Sequence, residues 1–352
     1  MSVAPAASVA GGDMLVVEGL AVDFPTRRVT VLAVDGVSLR IGRGEIVGLV
    51  GESGCGKSTL GMSLLRLVPP PGSIVRGSIE FDGGDLMALR PSELRKVRGH
   101  GISLIVQDAL AVMNPVTTVE EQLVEVVRDH VGGSKAANRA RALEALREVG
   151  LPSPELNLRR HAHELSGGMQ QRVAIAQALI LEPKLIIADE PTTALDVTVQ
   201  AQILELLRRA TADHGTSILF ITHDLATVAE LCDRVLVMYA GKIVESASVA
   251  ELFRAPRHPY TRALLAGMLP LHGDPPSELV SLRGSPPRPE EWPAGCRFHP
   301  RCPLRAQLGN PERCVTDQPV GDDRRPHWAA CHFTENGARA TPVGAPYPHA
   351  DV

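Results

Sequence analysis

A glycine-rich segment just after residue 50 carries side chains that can bind phosphate. Small, polar and glycine residues precede a lysine, a serine and a threonine, in the order Gly51, Glu52, Ser53, Gly54, Cys55, Gly56, Lys57, Ser58 and Thr59. Glycines let backbone N–H groups wrap closely around an anion, and the N-terminus of a following helix adds its positive dipole. The spacing fits G-x-x-x-x-G-K-[ST], in which the lysine reaches the β- and γ-phosphates and the serine hydroxyl binds Mg²⁺. We therefore predict a nucleotide-binding loop (the P-loop).

Two acidic residues follow a short apolar run farther along the chain. Asp189 and Glu190 come directly after Leu185–Ala188. In P-loop enzymes an aspartate at the end of such a strand helps to hold Mg²⁺. Because side chains alternate along a strand, the next residue is directed elsewhere and can polarise the attacking water. The sequence predicts Asp189 as a magnesium ligand and Glu190 as the catalytic base, although two acids without a P-loop would equally suit a helix cap.

A second phosphate-binding pattern lies between these two. Ser166, Gly167 and Gly168 open a helical run that continues to Leu181. A helix that starts on serine and two glycines presents free N–H groups to an anion. Since the chain already has one P-loop, this second pattern requires a separate explanation.

The order of these motifs resembles that of the ATP-binding cassette (ABC) ATPases. LSGGMQQ at 165–171 is similar to the family's signature sequence and stands shortly before LIIADE at 185–190, as in that family. The resemblance covers about 15–265. It implies that two such domains work head to tail, so that Ser166, Gly167 and Gly168 of one subunit cover the γ-phosphate held by the other.

The same resemblance implies roles for four more residues. Gln107 matches the glutamine that contacts Mg²⁺ and water and senses the membrane partner, and His223 matches the histidine that bonds the γ-phosphate. Asp196, in Ala194-Leu195-Asp196, matches the D-loop at the seam between subunits. The family usually stacks adenine on an aromatic residue upstream of the P-loop, where Phe24 is the candidate. A core position on the first strand would explain Phe24 equally well.

A segment near residue 260 indicates a branch of the family. His258–Leu265 resembles the HPYT-R-LL stretch of oligopeptide and dipeptide importer ATPases, although Pro259 also suits an ordinary helix start. The resemblance implies ATP and Mg²⁺ as cofactors and a peripheral location on the cytoplasmic face of the cell membrane. It implies as partners a second ATPase subunit (a copy or a paralogue), two permease subunits and, indirectly, an extracytoplasmic binding protein. Nickel, glutathione and sugars remain alternative cargoes.

Four cysteines near the C-terminus form the last pattern with chemistry: Cys296, Cys302, Cys314 and Cys331. A segment this small seldom folds without a metal or another staple. Four thiolates can bind zinc or an iron–sulfur cluster. The first pair resembles the C-x-F-x-x-R-C-P motif of peptide importers, some of which carry a 4Fe–4S cluster. That cluster is the prediction, with Zn²⁺ or four free thiols as alternatives and with reserve ligands at His299, His327 and His332.

Charge, the length of the apolar runs and the number of motifs argue against several other classes, including a soluble ABC ATPase that acts on nucleic acid or the ribosome. The formal net charge is -4, whereas nucleic-acid binders usually have a basic excess. The apolar runs are shorter than a membrane helix requires. A soluble ABC ATPase of DNA repair or translation would usually carry two cassettes or a long coiled coil, and this sequence has one signature.

The elements that position these residues indicate an α/β fold: a mostly parallel core sheet with an antiparallel β edge, a helical subdomain and a small Cys-rich C-terminal extension. Strands are predicted at Glu45–Val50, Leu185–Asp189 and Ser217–Thr222, with a hairpin at Arg234–Val244. Ser134 is predicted to cap a helix that Gly150 ends. The predicted organisation is 1–13 disordered, 14–268 ATPase domain with its helical subdomain at about 90–181, 269–295 Pro-rich linker, 296–333 Cys-rich module and 334–352 disordered tail.

Overall fold

The computed structural model describes residues 12–27, 29–193, 195–267, 282, 284–323 and 325–334. Most of the predicted disordered N-terminus, linker and tail therefore lies outside the described residues, as does Ala194. The strands are, in chain order, β1 Asp13–Pro25, β2 Thr30–Gly42, β3 Ile46–Val50, β4 Ser73–Phe81, β5 Gly84–Asp85, β6 Ile102–Ile105, β7 Leu185–Asp189, β8 Ser217–Thr222, β9 Arg234–Tyr239, β10 Lys242–Ser248 and β11 Trp328–Ala329.

Helices fill most of the chain between β6 and β7, and the helices of the whole described chain together cover the core sheet. They are, in chain order, α1 Lys57–Leu64, α2 Pro91–Val97, α3 Ala109–Val112, α4 Val119–His130, α5 Lys135–Glu148, α6 Pro154–Asn157, α7 Gly167–Leu179, α8 Val197–His214, α9 Leu225–Leu231, α10 Val249–Arg254, α11 Pro259–Ala266, α12 Pro303–Gln307 and α13 Arg313–Thr316. Among the described residues, no helix is both long enough and apolar enough to span a bilayer.

The larger sheet has the strand order β11-β10-β9-β3-β8-β7-β6. The five strands from β9 to β6 are parallel, and β10 and β11 add an antiparallel edge. Every residue of β3, β7 and β8 is buried, as in a parallel sheet covered on both faces. This confirms the predicted mostly parallel core, and it brings the carboxyl ends of β3, β8, β7 and β6 to one edge.

A second sheet, in the order β2-β1-β4-β5, is antiparallel and packs beside α1. Its inward residues share a core with α1 and with β3, including Leu20, Val34, Leu49 and Leu60. From Val37 to Gly42 of β2, buried residues alternate with more exposed ones, which turns one face of the sheet toward the core. The sequence prediction gave no separate account of this sheet.

The predicted local elements are confirmed with small changes at their ends. The first central strand begins at Ile46 instead of Glu45, while β7 and β8 have the predicted bounds. Ser134 caps α5 by accepting a bond from Ala137 N at 3.2 Å. The hairpin turns on Ala240 and Gly241, both with positive φ, as a tight turn between right-twisted strands requires.

Candidate functional site

The P-loop joins the end of β3 to the start of α1. The Lys57 side chain is 6% exposed, and its Nζ donates to Gly51 O at 2.7 Å and Glu52 O at 3.3 Å. Gly56 has φ 106, and a Cβ there would lie 2.4 Å from Ala33 O. That backbone cannot retreat without moving β2, so only glycine fits. The backbone of the loop thus surrounds the Lys57 ammonium group, which donates to two of its carbonyl oxygens.

Asp189, the last residue of β7, has the properties of a cation ligand. It is 7% exposed, and its Oδ1 is buried without a hydrogen-bond partner. Burial raises the pKa of Asp189, and the nearby Ser58 hydroxyl and Lys57 only partly offset that effect. A buried carboxylate oxygen with no donor is costly unless a cation compensates it. The donor set formed by Ser58 and Asp189 thus fits Mg²⁺, which prefers oxygen ligands.

Glu190 lies at the centre of a hydrogen-bonded cluster. Its Oε2 accepts from Gln107 Nε2 at 3.1 Å and from Thr193 Oγ1 at 2.9 Å, while its Oε1 lies 3.1 Å from His223 Nδ1. Glu190 has φ 47, and its N–H donates to Ile221 O at 2.9 Å. This left-handed conformation is uncommon outside glycine. It directs the Glu190 carboxylate away from Asp189 and into the cluster.

The cluster also sets the charge of Glu190. Burial alone raises the pKa of this carboxyl group, but hydrogen bonds from His223 and Thr193 outweigh that effect, so its pKa lies below its usual value. Glu190 is therefore an anion at neutral pH, as a general base must be. Its side chain is 14% exposed, compared with 59% for His223, so the histidine lies on the open side of the site.

Parallel strand order explains why these residues meet. Gln107 follows β6, Glu190 follows β7 and His223 follows β8, and these three strands are neighbours in the sheet. The structure thus brings together three of the predicted catalytic residues with Asp189 beside them. Thr193 was missed by the sequence interpretation; its position three residues after Glu190 was the available signal.

The signature segment lies at an exposed helix end. Ser166 caps α7 by accepting from Met169 N at 3.4 Å. A Cβ on Gly167 would meet nothing within 4 Å, and one on Gly168 would meet only Leu195 at 3.8 Å. Gly167 and Gly168 both lie in the described part of the chain, and neither has a positive φ. Nothing in the described part of this chain therefore requires glycine at these two positions.

Asp196 and Phe24 have structural contacts of their own. Asp196 caps α8, where its Oδ1 accepts from Val199 N at 3.0 Å. The Phe24 ring packs against Gly72, since a Cβ on that glycine would lie 2.4 Å from the ring. Phe24 is half-buried and packs at the edge of the core, as the core alternative predicts, whereas its role in adenine stacking stays a prediction.

The four C-terminal cysteines border a single small cavity. Cys296, Cys302, Cys314 and Cys331 are free thiols that line it with Phe298. Burial raises the pKa of Cys296 to about 12 and that of Cys302 to about 11, and it also raises the pKa of Cys314 and Cys331. No set of three or more His, Cys, Asp or Glu side chains within the described ranges is arranged to hold a metal ion.

The three reserve histidines are divided between two places. His299 and His332 line the same cavity as the cysteines. His327 is buried elsewhere, with its Nε2 2.9 Å from Glu245 Oε1. The His327 ring contacts the Glu245 carboxylate, and this contact joins the C-terminal segment to β10.

Comparison with known proteins agrees with the geometry. Residues 34–193 match the family model described as ABC transporter, and 244–307 match that described as oligopeptide/dipeptide transporter, C-terminal region. The chain is 45% identical to the dipeptide transport ATP-binding protein DppD of Haemophilus influenzae, over 84% of this chain and 89% of that protein. It is 49% identical to the oligopeptide transport ATP-binding protein OppD of Bacillus subtilis, over 81% of this chain and 80% of that protein.

A solved structure shares the fold. The dimeric post-hydrolysis state of the ATP-binding cassette MJ0796, bound to ADP and Pi, superposes with a TM-score of 0.61 at 28% identity, over 67% of this chain and 99% of that chain. Sequence motifs, strand order and relatives therefore agree. The chain belongs to the ABC transporter ATPases, in the branch of dipeptide and oligopeptide transport ATP-binding proteins.

Proposed function

We propose that this protein hydrolyses ATP to power the uptake of dipeptides or oligopeptides through an ABC importer. The observation that carries the proposal is the Glu190 cluster beside a complete P-loop. An anionic carboxylate held by Gln107, Thr193 and His223 suits activation of water, and it lies next to a loop that binds phosphate. The peptide cargo is supported by the relatives' names and by the match to the peptide-transporter C-terminal region.

In the proposed reaction the P-loop N–H groups and Lys57 bind the β- and γ-phosphates. Water attacks the γ-phosphorus, the bond from that phosphorus to the β–γ bridging oxygen breaks, and ADP leaves. Glu190 accepts the proton of the attacking water, while Gln107 and Thr193 fix the orientation of the carboxylate. His223 lies on the exposed side of Glu190, where it can reach the γ-phosphate. General-base catalysis of this kind contributes roughly 10²–10⁴-fold to the rate.

Mg²⁺ would be held by Ser58 and Asp189, with Gln107 nearby. When bound, the ion neutralises the charge that develops on the phosphate oxygens. The partnerless Oδ1 of Asp189 supports this assignment. Ser58 opens α1 directly after Lys57, so one helix end positions both the hydroxyl and the ammonium group.

A second ATPase subunit, either a copy or a paralogue, completes the site. Gly167 and Gly168 leave open space at an exposed helix N-terminus, and the described part of this chain supplies no reason for glycine there. A partner's nucleotide would supply one, since backbone N–H groups can approach phosphate closely only where side chains are absent. Leu195 lies beside this helix end, 3.8 Å from a Cβ built on Gly168, and with the adjacent Asp196 it would belong to the same seam between subunits.

Two permease subunits would dock near Gln107. Leu110, Val112 and Val116 are 49%, 54% and 79% exposed, and they closely follow that glutamine. Apolar side chains grouped at a surface indicate a contact site. A cytoplasmic segment of the permease that covered them would act directly on Gln107. The subunit would then lie on the cytoplasmic face of the membrane and meet the binding protein only indirectly.

The cysteine site is proposed to hold a 4Fe–4S cluster, with Zn²⁺ as the alternative. Four thiols that line one cavity have raised pKa values, so a positively charged group would be needed to keep them as thiolates. Iron and sulfide analysis of anaerobically purified protein tests this proposal. Iron together with visible absorbance supports the cluster, and zinc supports the alternative. If the protein contains neither metal, the four cysteines are free thiols.

Peptide uptake by cells tests the function as a whole. In cells that lack the chromosomal copy, the wild-type gene should restore uptake of a labelled tripeptide, whereas Lys57→Ala should not. The matched control is Lys135→Ala, which removes an exposed lysine at the start of α5. Purified Lys57→Ala protein should release phosphate at least about 100-fold more slowly than the wild type. Normal uptake with Lys57→Ala would overturn the proposal.

A further inference from the structure

A salt bridge joins the C-terminal segment to the P-loop. Arg301 Nη1 lies 2.7 Å from Glu52 Oε2, and Arg301 Nη2 lies 3.0 Å from Glu52 Oε1. The two parallel bonds form the bidentate pairing that the planar guanidinium favours. Arg301 immediately precedes Cys302, and Glu52 is the second residue of the P-loop. A residue outside the phosphate-binding sequence thus holds that loop directly.

The pair is sheltered from water and supported on both sides. The Arg301 side chain is 6% exposed, and that of Glu52 is 24% exposed. The guanidinium also donates to Tyr239 Oη at 3.3 Å and to Gly284 O at 3.1 Å. Its hydrogen bonds to the Glu52 carboxylate raise the pKa of Arg301. A sheltered pair that is bonded at both ends holds its geometry far better than an exposed one.

A second contact reaches the same residue through the backbone. Glu52 N donates to Tyr260 Oη at 2.9 Å, and Tyr260 is fully buried. The Tyr260 ring packs at an angle against Tyr239 and edge-on against Phe298, with ring centroids 4.6 Å and 5.5 Å away. Phe298 belongs to the cysteine segment, so this aromatic group fastens that segment, α11 and the P-loop to one another. The N–H of Glu52 is consequently directed to a tyrosine.

A neighbouring arginine anchors the same segment to the sheet. Arg297 bonds to Asp35 and to the carbonyl of Ala240, and its guanidinium lies 3.7 Å from the centroid of the Trp292 ring. Two arginines four residues apart thus fix the segment on the side of the core that carries the P-loop. Arg301 is therefore held in place independently of its bond to Glu52.

The charge of Glu52 gives the salt bridge a consequence for nucleotide binding. A carboxylate in a phosphate-binding loop repels the triphosphate unless a cation compensates it. Arg301 provides that cation. Because it donates to both carboxylate oxygens of Glu52, it also holds the start of the P-loop in one conformation. We propose that Arg301 is a positioning residue for the P-loop that raises its affinity for Mg-ATP. This inference rests on the proposed ATP-binding function and adds the C-terminal segment to the nucleotide site.

Equilibrium binding to the full-length protein tests the inference. The dissociation constant of the Mg²⁺ complex of β,γ-imido-ATP would be measured by titration calorimetry for wild type, Arg301→Ala and Arg301→Lys. We expect Arg301→Ala to raise the dissociation constant about tenfold or more. Arg301→Lys should have a dissociation constant between those of wild type and Arg301→Ala, because lysine keeps the positive charge but cannot form the bidentate pair. Arg313→Ala is the matched control, because that arginine is 63% exposed in the same segment; its dissociation constant should equal that of wild type.

A rescue experiment separates charge compensation from general loss of structure. If Arg301 acts by compensating Glu52, then Glu52→Gln combined with Arg301→Ala should bind the nucleotide more tightly than Arg301→Ala alone. Melting temperatures of all variants identify any that fail to fold, and Arg301→Lys serves if Arg301→Ala does. An unchanged dissociation constant in folded Arg301→Ala, or no gain in the double variant, would overturn the inference. A wild-type protein that does not bind the nucleotide would instead overturn the proposed function.

Discussion

Replacing Glu190 by glutamine tests the catalytic cluster most directly. The change preserves side-chain size and keeps one oxygen, which can still accept from Gln107 and Thr193 at the present 3.1 Å and 2.9 Å. The amide can face His223 Nδ1 if that nitrogen carries no proton. Because the cluster can be satisfied again, we expect the free energy of unfolding to fall by at most about 1 kcal/mol.

The effect on catalysis should be far larger. Glu190 is anionic because its hydrogen bonds outweigh the effect of burial on its pKa, and an amide cannot accept the proton of water. Loss of a general base lowers the turnover number by roughly 10²–10⁴-fold. That range corresponds to a rise in the activation free energy of about 3–5 kcal/mol. Nucleotide binding should remain, since the P-loop and Asp189 are unchanged.

The assay is phosphate release at saturating Mg-ATP, paired with nucleotide titration of the same samples. Glu230→Gln is the control, because Glu230 is exposed on α9 and lies outside the cluster; it should turn over ATP at the wild-type rate. Turnover within a few-fold of wild type in Glu190→Gln would remove Glu190 from the mechanism. Loss of nucleotide binding together with turnover would instead assign it a structural role in the site.

Four further outcomes follow from the structure. Asp189→Asn should raise the Mg²⁺ concentration needed for half-maximal turnover by about tenfold or more, whereas dependence identical to wild type would exclude Asp189 as a ligand. Lys57→Ala and Gly168→Val should each be inactive alone but recover activity when mixed, because one mixed-dimer site has an intact loop and an intact signature; a mixture that stays inactive would contradict sharing between subunits. Burial raises the pKa of Glu245, but hydrogen bonds from His327 and from the backbone N–H groups of Arg257 and His258 outweigh the effect of burial, so the pKa of Glu245 is lowered in the folded protein. The stability that these bonds contribute is therefore lost as the pH falls below about 4.3. Glu245→Gln should make the free energy of unfolding, measured by denaturant titration, depend less on pH in this acid range, and an unchanged pH dependence would refute the reasoning. If the cysteine site holds the proposed cluster, Cys302→Ser should lower the iron content and weaken nucleotide binding in the same direction as Arg301→Ala; loss of iron with unchanged nucleotide binding would show that Arg301 holds the loop regardless of what the thiols bind.

Local sequence patterns were enough to predict the residues of the nucleotide site. The P-loop and the two acids at the end of β7, Asp189 and Glu190, could be predicted from local spacing, because glycine conformations and strand alternation act over a few residues. The central strands were predictable for the same reason: β7 and β8 are short, continuous apolar runs. The N-cap of α5 was equally local, since Ser134 bonds to a residue of its own first turn.

Which of these residues lie in contact depends on how the strands and helices pack. Gln107 and His223 are far from Glu190 in the sequence, and only the neighbouring order of β6, β7 and β8 brings them to it. The contact of Arg301 with Glu52 joins residues 249 positions apart, and no local pattern encodes it. Distant pairs depend on how whole elements pack, which propensity and spacing do not specify. Residue type and spacing thus predict what each group can do, whereas packing of the sheet and of the C-terminal segment brings particular groups together.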